Sequence, residues 1–402
     1  EVAPKLLWSF GSAGLGLTTS YPAVARMNPT TDASTDPTNE KWYVIFGSGP
    51  NGYNADLPTP PGPASPQTAK LYVVDLKAGP GAAFANVTRM PIGSWNSFMG
   101  HVVTVDKNLD WRTDVAYAGR VVNDGALPWR GKMYRLSMRC TANPCSPTTW
   151  GVASGPDRTP TEIIDTYFDT PSGTTFEVGP VASAPAVTID DASQLWVFFG
   201  TGRYLSNADK VDNSLQGLYG IKDSVLNGSC TETTDVTSCW DNDLVNVTNA
   251  VVCLICSTGT NQVTDPTNSS VTSVNGTGTT SMVGLVQSKD GWRITLAGPA
   301  TIAGVAYSAE RSVVNPTLIA GTVFFPTFTP ANDFCASDGQ SYLYALFYRS
   351  GTGGTTPVIG TTVSGSNTNV ATKVSLGVGL ASSGTMSLGE QAKINFQQST
   401  GA

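Results

Sequence analysis

SAPAVTIDDASQLWVFFGTG, residues 183–202, sets an alternating run, a short polar turn and a wholly apolar run ending in glycine side by side. The alternating part, Ala186–Ile189, predicts a half-buried strand, and Leu195–Phe199 predicts a fully buried one. LYGIKD at 218–223 then reads as a third strand. The same succession recurs in Ser20–Met27, WYVIFGSG (42–49) and LYVVDLKAG (71–79), and again in Val314–Ile319, GTVFFPTF (321–328) and YLYALFYRSG (342–351). A fourth copy runs through HVVTVD (101–106), DVAYAGRV (114–121) and KMYRLSM (132–138). A recurring three- or four-strand unit, each too small to fold alone, is the mark of a β-propeller.

The expectation is an all-β chain, an irregular propeller of roughly six or seven blades with seven preferred, forming a single domain over residues 1–402. LLWSF (6–10) is expected to complete a blade with the C-terminal strands. TTFEVG (174–179), WRITL (292–296), VATKVSLGVGL (370–380) and KINFQQ (393–398) read as further strands. Two insertions interrupt the pattern. Residues 50–70 are proline-rich and read as a semi-extended loop. Residues 224–282 are rich in Thr, Asn and Ser, carry four cysteines and read as a disulfide-containing excursion projecting from the rim.

Composition agrees with that class. Of 402 residues, 42 are glycine and 26 proline, while charged residues make up 13% and the formal net charge is −7. Nucleic acid is excluded as a partner, because it demands a basic face. No run of about 18 apolar residues occurs, so no transmembrane segment is expected. The opening residues, EVAPKLLWSF, lack the basic and apolar regions of a secretory signal.

The seven cysteines fall in local groups: Cys140 with Cys145, then Cys230, Cys239, Cys253 and Cys256, and Cys335 alone. Such spacing in a turn-rich chain reads as disulfides of an oxidising compartment. Four cysteines permit three connectivities, of which 230–239 with 253–256 is favoured. A redox role for Cys253-Leu-Ile-Cys256 would call for a thioredoxin-like βαβ setting, which is missing.

Gly100–Val121 (GHVVTVDKNLDWRTDVAYAGRV) carries the main candidate site. Two apolar runs flank a loop in which Asp106, Asn108, Asp110 and Asp114 stand at positions one, three, five and nine. Oxygen donors at alternate positions can converge on a hard cation, calcium being the natural choice. The same residues also suit an ordinary solvated hairpin, since Asp and Asn favour turns. Trp111 and Tyr117 occupy the places of the EF-hand glycine and its bidentate glutamate, and Lys107 and Arg112 add positive charge.

With the repeats laid out, the chain resembles the C-terminal β-propeller domain of the PilY/PilC family, proteins associated with the tips of bacterial type IV pili. The matching stretches include WYVIFGSGPNGYN (42–54), VTVDKNLDWRTDVAYAG (103–119), FGTGRYL (199–205) and CASDGQSYLYALFYRSG (335–351). The resemblance implies Ca2+ held by Asp106, Asn108, Asp110 and Asp114, with the backbone carbonyl of Arg112 as a further ligand. The family loop often has glycine after its third ligand, where this chain has Trp111. The resemblance further implies an extracellular place at the pilus tip or outer bacterial surface. Its expected partners are minor pilins and host, abiotic or neighbouring-cell surfaces, and its expected roles are adhesion, twitching motility and control of pilus extension and retraction.

Other classes find thinner support. His101 is the only histidine, which leaves one candidate for a Ser–His arrangement and rules out multi-histidine zinc sites. No nucleophile elbow or phosphate loop is present. Asp190 with Asp191, or Asp209 with Asp212, could form a glycosidase pair, but such carboxylates more often solvate loops. A pyrroloquinoline-quinone dehydrogenase is also a calcium-using propeller, yet the adjacent cysteine pair typical of many is missing and the nine tryptophans read as blade packing. A third reading is glycan binding through the exposed loops. Sequons at Asn86, Asn227, Asn246, Asn268 and Asn275 carry little weight. The expectation is a binding protein rather than an enzyme.

Overall fold

The computed structural model describes residues 5–28, 39–50, 67–93, 95–123, 129–138, 146–154, 157–164, 166–170, 173–226, 243–257, 259–332, 339–388 and 392–399. Cys140, Cys145, Cys230, Cys239, Cys335, Trp240 and Asn227 lie outside these residues, as do most of the 50–70 insertion and part of the 224–282 one. The chain divides into two compact units. The first is built mainly from residues up to Ile164 and from Pro180–Ala184, and the second from Asp165–Gly179 and most of the chain after Pro185.

The first unit holds two four-stranded antiparallel sheets. Strands β1 (Ala23–Met27), β2 (Lys41–Gly47), β3 (Ala69–Asp75) and β4 (Val87–Ile92) pair in chain order. So do β5 (Ser97–Val105), β6 (Val115–Val122) and β7 (Arg130–Ser137), with Thr161–Ile164 at the far edge. All of β6 is buried, as expected of a central strand whose apolar run is continuous. Strand β5 starts earlier than the apolar run suggests and shifts register between Met99 and Val102. The irregularity falls at Gly100, where a Cβ would come within 2.6 Å of the Ala182 carbonyl oxygen. Val102, Ala116, Tyr134 and Trp150 share one core with Tyr43, Ile45 and Leu71.

In the second unit, Ala186–Ile189, Leu195–Gly200, Gly217–Lys222 and Gly291–Thr295 form the same antiparallel succession. This sheet continues with Asp243–Asn246 and Thr166–Thr170, both added in parallel, and ends on Thr174–Glu177. Thr317–Ile319, Thr322–Pro330, Gly339–Phe347 and Lys373–Val378 make another four-stranded antiparallel sheet. All four repeated triads therefore pair as consecutive strands. The sole α-helix among the described residues is Met282–Gln287, too short to cross a membrane.

Two expectations need correction. Residues 6–10 form no strand: the Trp8 indole donates to the Leu76 carbonyl at 2.8 Å, and Phe10 meets Phe46, Tyr72 and Phe84 edge to face, so this segment packs by its aromatics on the first sheet. The described part of 224–282 is not a rim excursion. Val245, Val247, Val252, Val263, Val271, Val274 and Met282 are buried beside Trp196 and Trp292. Widely spaced valines among polar residues supply this core, and Val251–Cys256 with Gly259–Thr264 pairs onwards to Asn367–Val370 and Thr361–Ser364. Cys253 and Cys256 are disulfide-bonded, with Cα atoms 5.8 Å apart.

Close packing explains one glycine inside a repeat. At Gly220, a Cβ would stand 2.4 Å from the Trp292 ring. Gly220→Ala is expected to destabilise the second unit by about 1–3 kcal/mol through overpacking, measured as a fall in the urea midpoint.

Candidate functional site

The loop 106–114 joins β5 to β6 across the Val105–Val115 pair. Its four oxygen-bearing side chains are gathered by the loop's own backbone. Asp114, buried at the start of β6, accepts from the Lys107 amide at 2.6 Å and the Asn108 amide at 3.3 Å through one carboxylate oxygen. Asp106 accepts from the amides of Asp110 and Trp111, at 3.2 and 2.7 Å. Asp110 accepts from the Arg112 amide at 2.9 Å and from the Asn108 side-chain amide at 3.1 Å. These contacts are of the Asx-turn kind, and they fold the segment into a compact ring of acceptors.

Arg112 leaves that ring. Its guanidinium donates twice to Glu40, at 3.0 and 2.8 Å, and Arg26 stands 3.5 Å from the second oxygen of the same carboxylate. The Glu40 side chain is only 8% exposed, so this ion pair is shielded from water. The positive charge that Arg112 brings to the sequence is thus spent outside the loop, while its backbone carbonyl stays within it. Thr113 adds two bonds to Arg26, its amide donating to the Arg26 carbonyl at 2.9 Å and its hydroxyl accepting from the Arg26 amide at 3.3 Å. The loop of the second sheet is fastened in this way to β1 of the first.

Trp111 and Leu109 have φ of 71° and 60°. Trp111 therefore takes the left-handed φ that glycine adopts most readily. Holding a branched or aromatic residue there costs about 1–2 kcal/mol. Trp111→Gly removes that cost but adds glycine's unfolded-state entropy, so the expected net change is a stabilisation of no more than about 1 kcal/mol, read by thermal unfolding.

The donor set is suitable for a hard cation: oxygens only, three carboxylates, and carboxylate lone pairs beyond those the amides use. Among the described residues, no three His, Cys, Asp or Glu side chains already converge on one metal position. Binding would require Asp106, Asp110 and Asp114 to bring their remaining lone pairs onto a common centre.

The rival carboxylates serve the backbone. Asp190 accepts from the amides of Ala192 and Gln194 and from the Trp196 indole. Asp209 is fully buried and pairs with Arg203 at 2.6 Å, and its other oxygen takes the Leu205 and Ser206 amides. Arg311 locks the same segment, donating to the carbonyls of Arg203, Asp209 and Asp212. This network is the structural content of FGTGRYL. Burial pulls the pKa of both arginines down, and the neighbouring aspartates oppose that shift. His101 stacks on Tyr21 with ring centroids 4.0 Å apart. Trp150, Trp196 and Trp292 are the packing residues expected, but Trp42, Trp95 and Trp111 are exposed. Sequence reading missed Glu40, which has no motif of its own and is 72 positions from its partner Arg112.

An apolar cavity of about 380 Å³ lies in the second unit, lined by Phe324, Phe347, Val358 and Ile394 among others. Among the described residues its lining has no charged side chain.

The family model described as the PilY1 beta-propeller domain matches residues 12–248. A type IV pilus biogenesis factor PilY1 homolog of Xylella fastidiosa is 25% identical over 324 residues, covering 78% of this chain and 18% of that protein. The type IV pilus biogenesis factor PilY1 of Pseudomonas aeruginosa is 26% identical over 358 residues, covering 85% of this chain and 26% of its own length. The chain thus spans about a quarter or less of these curated relatives. The crystal structure of the P. aeruginosa PilY1 C-terminal domain aligns with a TM-score of 0.59 at 19% identity, covering 99% of this chain and 74% of that one.

Proposed function

The chain belongs to the PilY1 beta-propeller domain family, and on that premise we propose that it is the propeller portion of a type IV pilus biogenesis factor whose β5–β6 loop binds calcium. The observation carrying the calcium reading is the 106–114 ring of acceptors, from which Arg112 is drawn away onto Glu40. Bound there, calcium would supply the positive charge that three carboxylates in one loop lack. Asp106, Asn108, Asp110 and Asp114 would hold it, with the Arg112 carbonyl alongside. Glu40 and Thr113 then join the state of the loop to β1, so ordering the loop also fixes the two sheets of the first unit to each other.

In this reading the protein is a binding module rather than an enzyme, at the pilus tip or outer surface. It engages minor pilins and a host, abiotic or neighbouring-cell surface, and acts in adhesion, twitching and the balance of extension and retraction. Its four antiparallel repeats are blades of a ring of roughly six or seven, seven preferred, within a single domain of residues 1–402.

Calorimetry with elemental analysis on chelated, recharged protein is expected to find one calcium per chain. Asp110→Ala and Asp114→Ala are expected to weaken it about tenfold or more, because affinity follows ligand charge. In a strain lacking its own copy, both variants should alter piliation and twitching. A lack of stoichiometric calcium refutes the metal reading, and wild-type piliation with both variants refutes the regulatory one.

A further inference from the structure

The metal loop has an outer side that calcium coordination does not use. Leu109 and Trp111 are 80% and 79% exposed, at the apex of the β5–β6 hairpin, while the intervening Asp110 turns back into the ring. Turn positions with positive φ normally go to Gly or Asn; here both present large apolar side chains to solvent. Resting on the calcium reading, we propose that this apex is a calcium-gated anchor that inserts Leu109 and Trp111 into the interfacial layer of a lipid bilayer.

Area and charge select that occupant. A specific protein contact buries about 1,200 Å² or more in total, and one tryptophan with one leucine supplies a small fraction of it. A bilayer interface needs no matching surface, and tryptophan partitions to the headgroup level, where its ring meets acyl chains and its N–H meets water. Without calcium, Asp106, Asp110 and Asp114 outweigh Lys107 together with the single positive charge that Arg26 and Arg112 leave over on Glu40, and drawing the remaining negative charge into the interface is costly. Calcium removes that excess negative charge, and the apex can enter. The chain's net charge of −7 makes a zwitterionic surface the better target than an anionic one.

The test is cosedimentation of the 402-residue protein with phosphatidylcholine vesicles, in calcium and in chelator, beside calorimetric calcium binding on the same sample. Calcium is expected to raise the vesicle-bound fraction roughly tenfold. Leu109→Ala with Trp111→Ala should abolish capture while still binding calcium, and Asp110→Ala should weaken both about tenfold or more. Stoichiometric calcium without capture overturns the anchor and leaves the calcium reading standing, whereas no stoichiometric calcium overturns both. Equal capture in chelator overturns the gate. A calcium-dependent dimer that the apex variants lose, without vesicle capture, assigns the apex to a second copy and also overturns the proposal.

Discussion

Replacing Asp209 by alanine is expected to destabilise the second unit by about 3–5 kcal/mol, the cost of stripping one partner from a buried ion pair. The carboxylate is fully buried and meets Arg203 through two guanidinium bonds at 2.7 and 2.6 Å. Its second oxygen receives the Leu205 and Ser206 amides, both at 2.8 Å, together with the Ser206 hydroxyl. Alanine leaves the Arg203 charge enclosed and three donors without their acceptor. Asparagine keeps an acceptor but not the charge, so its expected loss is smaller. The measurement is the urea midpoint of the transition that exposes Trp196 and Trp292. An alanine variant within about 1 kcal/mol of the parent would contradict this account.

Trp292→Ala is expected to cost a similar amount, about 3–5 kcal/mol, by a different route. The indole is fully buried against Phe198 and Phe325 and donates to the Tyr348 carbonyl at 2.7 Å. Gly220 and Gly351 both bring backbone to its faces, positions where a Cβ would come within 2.4 and 2.5 Å. Neither glycine has a side chain that could move into the space, so the cavity stays open. Trp292→Phe should restore part of the loss, because it refills volume without the indole hydrogen bond. Hydrogen exchange along Gly217–Lys222 and Gly291–Thr295 is the direct readout: protection is expected to fall across this pair of strands and to stay unchanged in the first unit.

The repeated triads were legible because strand pairing and residue pattern share a period. WYVIFG, LWVFFG and TVFFPT each alternate or saturate with apolar residues, and each pairs with the next strand of its own triad. The 243–282 segment was misread for the converse reason. Its valines are scattered among Thr, Asn and Ser, and they become a core only when Asp243–Asn246 lies parallel to Gly291–Thr295, a non-local pairing that no local pattern encodes. At the loop, the ligand-type residues were visible as a spacing, while the fate of Arg112 was not. A guanidinium next to three carboxylates suggests interference, and only the fold brings Glu40 near enough to remove it. Trp111 illustrates the limit of residue preference: its left-handed φ accompanies the hydrogen bond its backbone N–H donates to the Asp106 carboxylate, despite the bulky side chain it bears.

The path of the chain through residues 165–185 has a practical consequence. Asp165–Gly179 supplies two strands of the second unit, Pro180–Ala184 returns to the first, and the chain then re-enters the second. No single cut in this region yields both halves whole: severing before Asp165 strips the first of the segment that backs Gly100 and Gly119, and severing after Ala184 strips the second of its outermost strands. The two units are laced rather than strung. A nick in the 165–185 stretch should therefore leave fragments that travel together until denatured, and expression of either half alone calls for a rebuilt boundary rather than a truncation.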